Sequence, residues 1–385
     1  MQFRTRAIHV GQPPDPETGA IVPPIHLAST FVQPAADVAG RFDYSRSGNP
    51  TRLAFETTLA SLEAGSIEHA WALAFSSGMA ATHCVTMLLE QGQHVVAGAD
   101  IYGGTYRLLH KIINRSGIDV TLVPGSDHER LAAAITPHTR LIWIESPGNP
   151  LMSITDIAAC ARLARQRQIL LAVDNTLASP VLTRPLELGA DIVMHSATKY
   201  LGGHSDLLGG ALVVKDKALF DRLYFVQNAT GAVMGPLESF LCSRGLKTLE
   251  LRVREQSRTA QRLAEHLASD QRVRRVLYPG LPDHPGHSIA ARQMQGGFGG
   301  ILSFEVAGDY QAAKQVVEST RLFRLAVSLG AVESLIEQPA SMSHASYAAA
   351  DRLAHGISDG LIRLSVGLEA FEDLRDDLDQ ALNRE

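Results

Sequence analysis

The chain has 385 residues, 45% apolar and 19% charged, and a formal net charge of −5. Its length predicts two domains, or one large domain with a smaller appendage, and its composition is that of a soluble globule. The acidic balance argues against a nucleic-acid partner, and no apolar run reaches the roughly 20 residues that a membrane-spanning helix needs.

The first residues, Met1 to His9, lack the apolar centre of a secretory signal. Cysteine is sparse and odd in number: Cys84, Cys160 and Cys242, with no CxxC. This pattern points to a reducing compartment and a cytoplasmic protein.

Residues 1–60 are rich in Pro and Gly. Pro13-Pro14, Pro23-Pro24, Pro34 and Asn49-Pro50 are expected to interrupt any long helix here. Such an arm cannot form a core alone, so it should pack on another surface, such as a second subunit. Within it, Tyr44-Ser-Arg-Ser-Gly-Asn-Pro-Thr51 reads first as a polar turn, one that carries a phenol and the arginine Arg46.

From 61 to 246, short apolar runs alternate with helix-like stretches. Strands are expected at His94–Ala97, Asp119–Val123, Leu141–Glu145, Ile169–Asp174, Asp191–His195 and Gly210–Val214. Helices are expected at Met79–Leu89 and Ile154–Arg165. The alternation predicts an α/β fold with a mostly parallel sheet covered on both faces.

Chemistry gathers at the ends of these runs. Ser76-Ser-Gly-Met79 opens a helix, whose unpaired N–H groups suit a phosphate, although Ser-Gly is also ordinary capping. Tyr102 follows a strand and either stacks on a planar ligand or caps the loop. Asn149 follows another strand, in a sequence that also reads as a turn. Asp174 closes the run from Ile169. Lys199 follows the Asp191–His195 run, after the hydroxyls of Ser196 and Thr198. A lysine for a Schiff base, hydroxyls for a phosphate and a carboxylate for a pyridine nitrogen are what pyridoxal phosphate (PLP) requires. Strand ends that deliver an Asp and a Lys to one sheet edge form a site in the usual α/β position.

Residues 247–385 read as a smaller α+β domain. Lys247–Ser269 is one amphipathic helix, with Leu249, Val253, Ala260, Leu263 and Leu267 on the buried face. Arg252, Arg254, Glu255, Arg258 and Arg262 are expected in water. Strands should follow at Ile301–Val306 and Leu361–Val366. The cluster Gly296–Gly300 precedes a strand rather than a helix, so it reads as a turn and not a phosphate loop. Arg363 lies inside the last apolar strand and needs an anion there, either a substrate carboxylate or an internal acid. No spacing of His, Cys and Asp resembles a zinc site, so no metal is expected. No GxSxG, P-loop or strand-linked GxGxxG is present, which leaves a nicotinamide dehydrogenase without support.

In combination these motifs resemble the Cys/Met-metabolism family of PLP enzymes, from about Thr5 to Leu378. The resemblance rests on Tyr44-Ser-Arg-Ser-Gly-Asn-Pro-Thr-Arg52, Ser77-Gly-Met79, Tyr102-Gly-Gly104, Asp174-Asn-Thr176, Ser196-Ala-Thr-Lys-Tyr200, Ser328-Leu-Gly330 and Arg363-Leu-Ser-Val-Gly367. It implies fold type I, with a mostly parallel seven-stranded sheet in the large domain. It also implies a homotetramer of two dimers, in which the arm contacts the neighbouring subunit. By the same resemblance, Lys199 is the Schiff-base lysine and proton carrier, and Asp174 pairs with the pyridine nitrogen. Gly78, Met79, Ser196 and Thr198 hold the phosphate, which Tyr44 and Arg46 reach from the neighbouring subunit. Tyr102 stacks on the ring and takes part in proton transfer. Asn149, Ser328 and Arg363 orient an amino-acid substrate, with Arg363 on its α-carboxylate.

Two positions bear on the substrate and disagree. Arg107 matches the arginine that cystathionine-handling members use for a distal carboxylate, and Gly104 stands where methionine γ-lyases carry a cysteine. Val327 stands where cystathionine lyases and γ-synthases carry a glutamate. The resemblance therefore implies γ-elimination or γ-replacement in sulfur amino-acid metabolism, led by cystathionine γ-lyase or γ-synthase. Methionine γ-lyase and O-acylhomoserine sulfhydrylase are the alternatives. A non-catalytic PLP-fold regulatory protein is the reading from another class, and the intact set of Lys199, Asp174, Tyr102 and Arg363 weighs against it.

Overall fold

Seven strands form the larger sheet in the computed structural model, which describes residues 1–345, 352–353 and 356–383. They are β1 (Trp71–Phe75), β2 (His94–Gly98), β3 (Asp119–Val123), β4 (Thr139–Glu145), β5 (Leu170–Asp174), β6 (Ile192–Ser196) and β7 (Gly210–Val214). Their spatial order is β1-β7-β6-β5-β4-β2-β3. β7 runs antiparallel to both neighbours, and every other pairing is parallel. Alternation along the central strands feeds two cores. Val193, Ala211 and Val213 pack with Phe55, Leu59, Ala178 and Leu246 on one face. Ile192, Met194, Leu212 and Val214 pack with Ala81, Val85, Leu109 and Leu223 on the other. Both faces are covered, so the central strands are mostly apolar, while the edge strand β3 leaves Asp119 and Thr121 exposed.

Two local expectations need correction. β1 escapes the sequence reading because two of its five residues are alanine; its pairing with β7 makes it a strand. Asn49-Pro50 does not break a helix but starts one, Pro50–Ala64. The Asn49 side chain accepts the N–H groups of Thr51 (2.9 Å) and Arg52 (3.3 Å), and proline suits the first turn because no N–H is needed there.

The second sheet holds β8 (Val273–Leu277), β9 (Ile301–Val306), β10 (Arg324–Leu325), β11 (Leu335–Glu337) and β12 (Leu361–Ser365), in the order β10-β11-β12-β9-β8. Leu302, Phe304, Ile362 and Leu364 face Leu263, Leu267, Val316, Leu374 and Leu378 of the covering helices. The long helix spans Leu249–Ala268 with the expected apolar face buried. Arg252, expected in water, is buried instead. Its guanidinium donates to the carbonyls of Tyr200 (2.9 Å) and Gly245 (2.7 Å) and to the Thr248 hydroxyl (3.1 Å). These acceptors come from the turn at Tyr200, the end of the helix Pro236–Leu246 and the Thr248 cap, which helix periodicity cannot see. All three cysteines are buried and free, and no helix among the described residues is long and apolar enough to cross a membrane.

Candidate active site

The carboxyl ends of β4, β5 and β6 stand side by side. Glu145 is level with Asp174, and Asp174 with Met194, two residues before Ser196. At the other side, Phe75 of β1 and Ser196 of β6 are both level with Gly210 of β7. The loop after β1 therefore meets the loop that carries Lys199. Two glycines allow this close approach. A Cβ on Gly210 would lie 2.2 Å from the Ser77 carbonyl oxygen, and one on Gly78 would lie 3.1 Å from Ser196 Cβ.

Ser77 caps the helix Gly78–Thr86 by accepting the Ala80 N–H at 3.1 Å. The first intrahelical bond runs from the Ala81 N–H to the Ser77 carbonyl, so the N–H groups of Gly78 and Met79 have no acceptor within the helix. They end in a positive dipole beside Ser196. Thr176 ties this edge together. Its hydroxyl donates to Asp174 Oδ1 at 2.5 Å and accepts the Ser196 N–H at 2.8 Å. The Thr198 hydroxyl exchanges hydrogen bonds with Gly209.

Lys199 Nζ donates to Ser328 Oγ at 2.9 Å. Ser328 holds a φ of 102°, a backbone state that costs about 1–3 kcal/mol and recurs at functional sites. Burial, with the nearby Arg363 charge, lowers the Lys199 pKa to about 8, against an opposing pull from Glu337. Burial pushes the Asp174 carboxyl up, while the Thr176 hydrogen bonds and His195 favour its charged form. Its neighbour Glu145 is pushed well up, by burial and then by the charge of Asp174. Burial and the neighbouring carboxylate thus hold Glu145 toward its neutral form, while the Thr176 hydrogen bonds hold Asp174 toward its charged one. Glu145 Oε2 accepts the Tyr102 N–H at 2.8 Å. The Tyr102 ring is half exposed, and a Cβ on Gly104 would lie 2.4 Å from it and 2.8 Å from Met79 Sδ. Gly104 thus lets the phenol ring settle next to the helix Gly78–Thr86.

Arg363 is buried on β12, level with Glu337 on β11. Its Nη1 donates to Asn149 Oδ1 (2.9 Å) and pairs with Glu337 Oε1 (3.0 Å), while Nη2 donates to the Ser328 carbonyl (2.7 Å). Of the two anions open to Arg363 from sequence, the fold supplies the internal acid. Asn149, Ser328, Arg363 and Lys199 are thereby joined in one hydrogen-bonded group. Arg107 is exposed on the helix Gly103–Lys111, and its charge reaches His344. Burial, followed by the charges of Arg363, Arg352 and Arg107, lowers the His344 pKa to about 4. Val327, 58% exposed, lines an open cleft of about 640 Å³ with Thr198, Asp206, Leu208 and Ser328. Tyr44 and Arg46 stand apart from this group. The Arg46 guanidinium lies 5.5 Å from the Tyr44 ring and donates to Asn228 Oδ1 at 3.3 Å. No hydrogen bond or ion pair among the described residues joins either to Lys199.

Glu337 and Glu145 are the functional candidates that the sequence reading passed over. Each places an acid in an apolar strand, the signal that singled out Arg363. The residues present fit PLP. A buried carboxylate without a cationic hydrogen-bond partner, a helix N-terminus opened by glycines and a lysine with a lowered pKa meet at one edge. A possible cation cluster, His266, Asp270 and Asp379, is instead knitted by Arg272, which lies 2.5 Å from Asp270 and 3.2 Å from Asp379.

The sequence pattern of the family described as "Cys/Met metabolism PLP-dependent enzyme" matches residues 4–383. A protein named cystathionine gamma-synthase from Mycobacterium tuberculosis is 53% identical over 380 residues, 98% of this chain and 96% of that one. A cystathionine beta-lyase from Coxiella burnetii is 50% identical over 380 residues, covering 98% and 97%. Among solved structures, cystathionine gamma-lyase from Lactobacillus plantarum complexed with L-serine superposes with a TM-score of 0.94 at 46% identity, covering 99% of this chain and 98% of that one.

Proposed function

This chain belongs to the Cys/Met metabolism PLP-dependent enzyme family, and we propose that it catalyses γ-elimination or γ-replacement with cystathionine as the leading substrate. The observation that carries the reading is the link from Lys199 Nζ through Ser328 to Arg363, because it sets a base beside a carboxylate grip. Bound PLP withdraws electrons from the substrate Cα and makes the α-proton acidic. Lys199 accepts that proton at Nζ, and its lowered pKa keeps a neutral fraction near pH 8. Arg363 and Asn149 hold the α-carboxylate and so orient the Cα–H bond toward the lysine. Asp174 holds negative charge against the ring nitrogen. Gly78, Met79, Ser196 and Thr198 hold the phosphate. Tyr102 moves a proton at the leaving sulfur, and Arg107 receives the distal carboxylate of cystathionine.

The site is completed by a second copy in a homotetramer built from two dimers, whose arm brings Tyr44 and Arg46 to the phosphate. The three reduced, buried cysteines suit work in the cytoplasm. The curated relatives named for gamma-synthase, gamma-lyase and beta-lyase reactions make the position of bond cleavage the deciding question. Mass spectrometry of products from PLP-loaded protein given cystathionine, methionine, or O-succinylhomoserine together with cysteine, each in a separate reaction, answers it. Cysteine with 2-oxobutanoate, or cystathionine made from O-succinylhomoserine and cysteine, supports the proposal. Homocysteine with pyruvate as the sole products, or turnover of methionine alone, overturns it.

A further inference from the structure

Glu337 is buried at 1% exposure, and its Oε1 pairs with Arg363 Nη1 at 3.0 Å and accepts the Ser343 hydroxyl at 2.6 Å. The facing strands β11 and β12 fix the pair in register, and Ser343 also contacts His344 Nδ1 at 3.0 Å. The second oxygen, Oε2, and Arg363 Nε are both buried with no partner among the described residues. A pair built only for stability would satisfy these atoms, since each unmet buried polar atom costs about 1–3 kcal/mol. The cationic side chains acting on this spot are Arg363, Lys199 and, through His344, Arg352 and Arg107. The acidic groups acting on Arg363 are Glu337, Tyr200, Glu145 and Tyr102.

From this arrangement we propose that Glu337 sets how tightly the site grips an α-carboxylate, by neutralising Arg363 before a substrate arrives and competing with the substrate for it. The inference rests on the reading of Arg363 as the carboxylate grip. Without Glu337 the empty enzyme would bury an uncompensated guanidinium, which is strongly unfavourable. With Glu337, an incoming carboxylate meets a cation whose charge is already balanced, so binding is weakened and release of a carboxylate product is eased. Glu337 touches Arg363 rather than the substrate, so it is a positioning and tuning residue.

The test compares L-2-aminobutanoate with propylamine, the same amine without its carboxylate, as ligands of the PLP-loaded enzyme in absorbance titrations. Both amines engage the cofactor alike, so an effect acting through Lys199 cancels in the ratio of their Kd values. Glu337→Gln keeps an acceptor for Arg363 and Ser343 but removes the charge, and should tighten 2-aminobutanoate about tenfold relative to propylamine. Glu337→Ala also removes that charge but leaves the guanidinium without the acceptor that holds it in place, so its preference for 2-aminobutanoate should rise less than that of Glu337→Gln. An unchanged or reduced preference for the carboxylate in Glu337→Gln, in protein whose thermal midpoint shows that it is folded, overturns the proposal. Arg363→Ala separates the two readings. If it leaves the preference for 2-aminobutanoate intact, the carboxylate grip itself is wrong; if the preference collapses, failure of the Gln variant counts against Glu337 alone.

Discussion

At the scale of single residues, the site works by placing charges where water is absent. Lys199 illustrates the consequence. Its pKa, lowered from 10.5 to about 8 by burial and Arg363, leaves far more neutral amine at pH 7.5 than an ordinary lysine has. The neutral amine is the form that bonds the cofactor. The rate at which cofactor-free protein takes up PLP should therefore climb with pH below about 8 and level off above it. Absorbance stopped-flow across pH 6 to 10 measures this, and a rate still climbing at pH 10 would show an unperturbed amine. Asp174 and Lys199 were readable from sequence because each closes or follows a compact apolar run. Glu337 was not, since its meaning depends on Arg363, which sequence leaves with two candidate anions.

At the scale of elements, strand register brings the Ser77-Gly78 turn and Ser196, the two halves of the proposed phosphate cradle, together. Gly210 begins β7 between the ends of β1 and β6, where a methyl group would lie 2.2 Å from the Ser77 carbonyl oxygen. Gly210→Ala must push the Ser77-Gly78 turn away from Ser196. We expect stability to fall by about 1–3 kcal/mol and PLP to bind at least tenfold more weakly. Denaturant melts and equilibrium dialysis against PLP check the two effects, and unchanged PLP affinity would show that the helix N-terminus does not hold the phosphate. The expected central strands were legible because a strand covered on both faces is mostly apolar along its length. β1 was not, because a run with two alanines carries little β signal until β7 pairs with it. The helix start at Pro50 was misjudged for a related reason. Asn-Pro reads as a break by local propensity, yet an asparagine that caps the next two N–H groups makes the same pair a beginning.

At the scale of the whole molecule, the arm is the unfinished part. Val32 is 97% exposed, Ile21 82% and Leu27 75%, an apolar series that a lone chain leaves in water. Among the described residues, Tyr44 and Arg46 likewise form no hydrogen bond or ion pair with Lys199. If the arm completes a neighbour's site, two dead variants should rescue each other. Lys199→Ala and Arg46→Ala, each inactive or nearly so alone, should regain about a quarter of wild-type sites when mixed one to one and allowed to exchange subunits. Turnover after mixing under mild denaturant and refolding measures this. No gain over the separate variants would place Arg46 in its own chain's site or outside any site.

The sequence by itself determined the layered α/β architecture, the identity of the lysine and aspartate at the sheet edge, and the cofactor they call for. Those features are written in neighbouring residues, through apolar period and the residue types that follow each strand. Tertiary structure alone decided which acid answers Arg363, where Arg252 goes and why Gly210 has no side chain. Arg363 meets Asn149 across 214 residues of chain, and Lys199 meets Ser328 across 129. Local pattern carries no information about such partners. They are fixed when two sheets, each with its own core, close on one another and leave a few buried charges to be matched.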